Sequence, residues 1–124
     1  MKQFALLLAT VLPLLASAPG HAQKLEVGTW TGSVTPPGEQ VPENVTYEVA
    51  LKGDTVGITV NAGEHGSFPF RDIAFDGGTL TFWFMPGPRV DCTLTRREDG
   101  VLHGSCRDTE GGTASMVMIP PRKE

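Results

Sequence analysis

The segment Arg89–Arg107 constrains the fold more than any other stretch of this chain. It contains the only two cysteines of the sequence, Cys92 and Cys106, one in each of two runs with alternating apolar residues. Glu98-Asp99-Gly100 separates the runs and suits a three-residue hairpin loop with glycine in the left-handed conformation. The segment therefore predicts a β-hairpin.

The turn also fixes the register of this hairpin. If Arg97 pairs with Val101, then Cys92 falls opposite Cys106 at a non-hydrogen-bonded pair, where side chains approach within reach of a disulfide. A slip by one residue would turn every side chain to the other face. The predicted inward face comprises Val90, Cys92, Leu94, Leu102 and Cys106.

The first 22 residues have the pattern of a secretory signal peptide. Lys2 precedes the apolar run Phe4–Leu15, and small residues follow it. We expect cleavage after Ala22, with cleavage after Ala18 as the alternative, which leaves residues 23–124 as one exported domain. The apolar run is too short to span a bilayer, so no stable membrane insertion is expected. Export to an oxidising compartment favours a Cys92–Cys106 disulfide.

Charge narrows the class of partner. The chain has a formal net charge of −4 and no basic run, which argues against a nucleic-acid partner and against an anionic membrane surface. A domain of this length buries a modest share of its surface, so a disulfide worth about 3 kcal/mol would matter to it.

Period-two alternation recurs along the rest of the exported portion, interrupted by glycine and proline turns. Gly53-Asp54 is a two-residue hairpin turn. Eight strands are predicted: Leu25–Val34, Asn44–Lys52, Thr55–Val60, Ser67–Phe75, Thr79–Met85, the two arms of the cysteine hairpin, and Thr113–Ile119.

The predicted fourth strand needs an irregularity. Phe68 and Phe70 share one parity, whereas Ile73 and Phe75 share the other. A β-bulge at Arg71-Asp72 would bring both pairs to the same face.

The connections between these strands favour one architecture. Nearly all are tight turns, and only the proline-rich segment Thr35–Glu43 is long enough to cross a sheet. We therefore predict an all-β, eight-stranded antiparallel up-and-down meander barrel, with a β-sandwich as the alternative.

Three short motifs carry a family resemblance. Gly28-Thr29-Trp30 matches the G-x-W element of lipocalin-like barrels, Trp30-Thr31-Gly32 gives an early W-x-G, and Gly100–Gly104 gives a late G-x-L-x-G after the apolar strand Leu80–Phe84. The exported portion resembles small bacterial extracytoplasmic barrels of the lipocalin-like, calycin type. That resemblance implies a lipocalin-like barrel fold and, as an expectation, ligand binding.

The inward positions are rich in aromatic side chains, and eight-stranded barrels either fill their interior or hold one small ligand. The sequence leaves both alternatives open. For a small hydrophobic ligand, Arg96 would stand at one mouth of the barrel and the Thr35–Glu43 loop would cover the other. The predicted lining residues are Tyr47, Phe70, Phe82, Phe84, Arg96 and Met116.

Trp83 and Met85 point outward by parity, and exposed large apolar residues can mark a protein-binding surface. Packing beneath the Thr35–Glu43 loop is the alternative explanation. The second hypothesis for function is therefore a protein-binding barrel, such as a secreted protease inhibitor or an envelope interaction domain.

No motif of a catalytic site is found, and we do not expect an enzyme. Glu64-His65 could meet Asp72 or Glu43, but the spacing does not indicate a metal site. His103 and Ser105 share an outward face without a third group to orient the imidazole. We expect no cofactor, no metal and a monomeric protein.

Overall fold

Alternating runs and tight turns fold, in the computed structural model, into nine antiparallel strands within residues 24–122, which are the residues that the structure describes. The predicted signal peptide lies outside them. The strands are β1 (Gly28–Thr35), β2 (Glu43–Lys52), β3 (Thr55–Asn61), β4 (Ser67–Pro69), β5 (Arg71–Asp76), β6 (Thr79–Phe84), β7 (Val90–Arg96), β8 (Leu102–Asp108) and β9 (Thr113–Ile119).

The strands form one sheet in the order β4-β3-β2-β1-β9-β8-β7-β6-β5. The first and last strands pair with each other, since Thr31 lies opposite Ile119 and Thr35 lies opposite Ser115. Each remaining ladder joins strands that follow one another along the chain. The molecule is therefore an up-and-down antiparallel barrel that is nearly closed, as predicted.

The predicted count of eight strands is wrong, because the strand expected over Ser67–Phe75 is divided at Phe70. Its first part pairs with β3 and its second part pairs with β6. The amide of Phe70 still donates to the carbonyl of Ile58, with N and O 2.8 Å apart. The chain thus passes from one sheet edge to the other at this residue, and the two edges are joined covalently.

A register shift of the kind expected for a β-bulge follows Phe70. Arg71 lies opposite Trp83 and Ala74 lies opposite Thr81, so β5 holds one more residue than β6 over this interval. Asp72, which belongs to the predicted bulge, has a φ of 50°. Asp tolerates the left-handed region better than most residues do. The extra residue turns Ile73 and Phe75 toward the core, where both pack against buried side chains.

The cysteine hairpin has the predicted register. Cys92 pairs with Cys106 and Arg96 pairs with Leu102. The amide of Arg97 donates to the carbonyl of Val101 at 2.8 Å. The disulfide joins the two cysteines, whose Cα atoms are 4.0 Å apart, and both side chains are buried. It is an inward-facing link between β7 and β8.

Two glycines allow the sheet to bend tightly around β9. Gly32 of β1 lies opposite Met118, and Gly104 of β8 lies opposite Met116. A Cβ atom at Gly32 would lie 1.9 Å from the carbonyl oxygen of Val117, so no larger residue fits there. Both methionines are fully buried and occupy the space beside the glycines.

The hydrophobic core extends from the end of the barrel where β1 begins to the middle of the barrel. Trp30 is buried, and its indole N–H donates to the carbonyl of Glu26 at 2.8 Å. Leu25 is buried as well, although β1 begins at Gly28 rather than at Leu25 as predicted. The segment before β1 therefore folds back against this end of the barrel.

Candidate ligand-binding cleft

The four aromatic side chains predicted to line a cavity contact one another. The rings of Phe70 and Phe82 stack with centroids 3.8 Å apart. Tyr47 meets the edge of Phe70 at 6.2 Å, and Phe84 lies 5.3 Å from Phe70. The middle of the barrel is therefore packed with rings.

Tyr47 is fully buried, and its hydroxyl is used within the structure. The hydroxyl donates to the carbonyl of Val117 at 3.0 Å and lies 3.4 Å from the carbonyl of Ser33. Burial raises the pKa of Tyr47 above its ordinary value, because the phenolate would be desolvated. This side chain is a structural bridge between β2 and the β1–β9 ladder.

A cleft of about 430 Å³ opens above this packed middle, at the end of the barrel nearest the Thr35–Glu43 loop. Its floor includes Phe84, Met116 and the buried Cys106. The lining is mainly apolar. Besides the floor residues, the apolar lining comprises Val34, Pro36, Pro37, Val45, Val60, Ala62, Phe68, Pro86, Pro88, Val90 and Ala114.

The predicted lining residues are divided among three locations. Phe84 and Met116 line the cleft. Tyr47, Phe70 and Phe82 lie in the packed middle and contribute no lining. Arg96 lines a separate opening of about 470 Å³ at the opposite end, together with Lys24 and Trp30. The arginine and the proline-rich loop thus lie at opposite ends of the barrel.

The proline-rich loop forms one wall of the cleft. Pro36 begins a turn in which the amide of Glu39 donates to its carbonyl at 3.1 Å. Pro37 approaches the β8–β9 turn so closely that a Cβ atom at Gly112 would lie 2.9 Å from its Cβ. Gly112 therefore allows the loop to contact the barrel rim.

Four ionisable side chains stand among the lining residues, namely Glu39, Glu43, His65 and Asp108. His65 Nε2 lies 3.4 Å from Glu43 Oε1, and both side chains are accessible to solvent. Glu43 and His65, which the sequence analysis considered together as possible metal ligands, are therefore side by side. Asp72 instead bonds Trp83 at another part of the surface.

Among residues 24–122 no group of three or more His, Cys, Asp or Glu side chains is arranged to hold a metal ion. Within the same residues no helix is long and apolar enough to cross a bilayer. His103 and Ser105 are both exposed on β8, as predicted from their parity.

Trp83 is half-buried on the outer face. Its indole N–H donates to Asp72 Oδ2 at 2.7 Å, and the Arg89 guanidinium lies 4.2 Å from the ring centroid. Arg89 also pairs with Asp91 at 3.0 Å. Met85, beside this group, is 56% exposed. Trp83 is thus held by polar neighbours, while Met85 is accessible.

Several lining residues were missed because they stand in turns. In a meander every second connection reaches the same end of the barrel, once β4 and β5 are counted as one bent strand. The connections after β1, β3, β6 and β8 therefore meet. They supply Pro36, Pro37, Glu39, Ala62, His65, Pro86, Pro88 and Gly112, and Asp108 lies at the end of β8 beside them.

Comparison with known proteins supports the fold alone. No protein-family model and no curated protein matches the chain. A solved structure described as a redesigned β-barrel is similar, with a TM-score of 0.57 and 11% sequence identity. The match covers 79% of this chain and 91% of that one. At this identity the similarity shows that the chain has a β-barrel fold.

Proposed function

We propose that this protein is an exported, lipocalin-like binding module that holds a small hydrophobic ligand in the cleft beside the proline-rich loop. The observation that carries the proposal is the apolar lining of that cleft. Phe84 and Met116 form its floor, while Pro36, Pro37 and Pro88 form its walls. An apolar ligand would replace water on these surfaces, which is favourable in proportion to the area covered.

The size and rigidity of the cleft fit such a role. A volume of about 430 Å³ falls within the range of about 300–1,000 Å³ found for small-molecule sites. The floor rests on the packed rings of Phe70 and Phe82, so it is preformed. A preformed floor lowers the ordering cost of binding.

Two further features support export and the lipocalin resemblance. Disulfides persist in oxidising compartments, which agrees with a secreted or periplasmic protein. The tryptophan of the G-x-W element, Trp30, is buried at the end of the barrel opposite the cleft and shares its opening with Arg96. The apolar cleft opens at the proline-rich end, and we propose that the ligand enters there.

The uncharged dye N-phenyl-1-naphthylamine, whose fluorescence rises in apolar surroundings, tests the proposal. We expect the wild type to bind it saturably and Ala62→Phe, which places a ring at the lining of the cleft, to weaken binding at least about tenfold. Ala50→Phe is the matched control, because Ala50 is exposed on β2 outside the cleft lining. Equal affinity in the two variants would overturn the proposal.

A protein-binding surface at Met85 and Trp83 is the second candidate function, favoured by the exposure of Met85. Met85→Ala and Trp83→Ala would then remove partners recovered from the periplasmic or secreted fraction. The same partner set from both variants and from the wild type would exclude this surface.

A further inference from the structure

The rim of the cleft carries an uneven charge. Glu39, Glu43 and Asp108 are the acidic lining residues, and His65 is the only basic one. His65 lies against Glu43 and can offset part of one negative charge when protonated. Within the described part of the chain, no lysine or arginine lines this cleft. The opening of the cleft therefore has a net negative charge, and the floor beneath it is apolar.

Asp108 shows how one carboxylate is held at that rim. Its Oδ1 accepts from the amides of Glu110 and Gly112, both at 2.8 Å. These two bonds fix the side chain over the β8–β9 turn. Across residues 24–122, no hydrogen bond to Asp108 Oδ2 is formed, and the residue is half-buried. A fixed, partly desolvated carboxylate attracts a nearby cation more strongly than a fully solvated one.

The opposite end of the barrel has the contrasting set of charges. Lys24, Arg96 and Arg97 line its opening, with Glu26 and Glu98 beside them. Three cationic side chains thus line the opposite opening. Arg89 belongs to the connection after β6 at the cleft end, but its guanidinium lies over Trp83 and pairs with Asp91. Walls of low dielectric constant focus the field of a rim that has one sign of charge. The field of the rim therefore favours cations specifically at the mouth of the apolar cleft.

We propose that the ligand is a small amphiphile with an ammonium head, whose apolar part enters the cleft while the head stays at the Glu39–Glu43–Asp108 rim. This rests on the proposed function, because it assumes that the cleft takes an apolar group. An anionic amphiphile would place its head beside three carboxylates. A neutral one would gain only the burial of its chain.

Displacement of N-phenyl-1-naphthylamine by decylammonium, decanol and decanoate, each below its micelle concentration, separates these cases. We expect decylammonium to compete at roughly one tenth of the concentration needed for decanoate, with decanol between them. The preference should shrink as salt is raised, because the rim carboxylates are near solvent.

Glu39→Gln/Glu43→Gln should reduce the preference for decylammonium over decanol at least about threefold. Glu48→Gln/Glu98→Gln is the matched control, since it removes the same charge from exposed positions outside the cleft lining. If decanol displaces the dye but the two ions compete equally, the ammonium head is excluded and the proposed function stands. If the dye does not bind the cleft, both proposals fail.

Discussion

The rings of Phe70 and Phe82 lie parallel, 7° apart in plane and 3.8 Å apart between centroids. Phe70 is the residue at which the chain leaves the β3 side of the sheet and joins the β6 side. The stack therefore fastens the corner of the barrel to β6 by side-chain packing. It also supports Phe84, which lies 5.3 Å from Phe70 and forms part of the floor of the cleft.

Phe70→Ala should lower the free energy of unfolding by about 3–5 kcal/mol, because it removes a buried ring and leaves a cavity. Urea denaturation followed by circular dichroism measures the change. Met85→Ala, on the exposed outer face, should cost less than about 0.5 kcal/mol. If Phe70→Ala does not fold, Phe70→Leu tests the same contact, and a cost equal to that of Met85→Ala would contradict the role of the stack.

Tyr47 should make stability fall at alkaline pH. Burial raises its pKa in the folded state above the unfolded value of about 10. The stabilisation is therefore complete below about pH 10 and is lost as the pH rises toward the folded-state pKa, because only the unfolded chain then releases the proton. Tyr47 is the only tyrosine of the sequence, so tyrosinate absorbance reports on it alone.

We expect tyrosinate absorbance to appear together with the loss of the folded circular dichroism signal. Ionisation of Tyr47 while the fold remains intact would contradict its buried, hydrogen-bonded state. Tyr47→Phe should cost about 0.5–1.5 kcal/mol at neutral pH, through loss of the bond to Val117, and should lessen the alkaline dependence.

Gly32→Ala should destabilise the protein by at least about 2 kcal/mol, since the new Cβ would collide with the carbonyl oxygen of Val117. Gly57→Ala is the matched control within a strand. The nearest atom to its Cβ would be 3.9 Å away, so we expect no loss of stability. Thermal unfolding of the two variants measures the contrast. Similar melting temperatures would show that β1 and β9 can separate without cost.

Cys92→Ala/Cys106→Ala should lower the unfolding free energy by about 3 kcal/mol, because the disulfide closes a loop with a sequence separation of 14 in the unfolded chain. Denaturation of the wild type with and without a thiol reductant gives an independent measure. A loss below about 1 kcal/mol in both experiments would indicate that the β7–β8 register holds without the disulfide.

The barrel and its cysteine hairpin could be predicted because they depend on local signals. Turn residues and parity set the pairing of Cys92 with Cys106. The number of strands could not be predicted in this way. The division at Phe70 results from a change of pairing partner, and the alternation of apolar and polar residues does not depend on which strand is the partner. Parity also separates inward from outward residues but gives no position along the barrel axis.

Because parity gives no position along the barrel axis, it could not identify which inward residues line the candidate site. Phe82 and Phe84 share the inward parity, yet Phe82 lies in the packed middle and Phe84 lines the cleft. Asp108 is not among the predicted site residues. Grouping alternate turns would have placed it beside the proline-rich loop, because both belong to the same end of the meander.

The ladder between β1 and β9 has a further consequence for the order of assembly. Thr31 and Ile119 are paired across nearly the whole described chain, whereas the other ladders join consecutive strands. Contacts between distant residues carry the largest entropic cost of closing the intervening chain. We therefore expect the hairpins to form first and the β1–β9 ladder to form last, so that substitutions within it accelerate unfolding more than they slow folding.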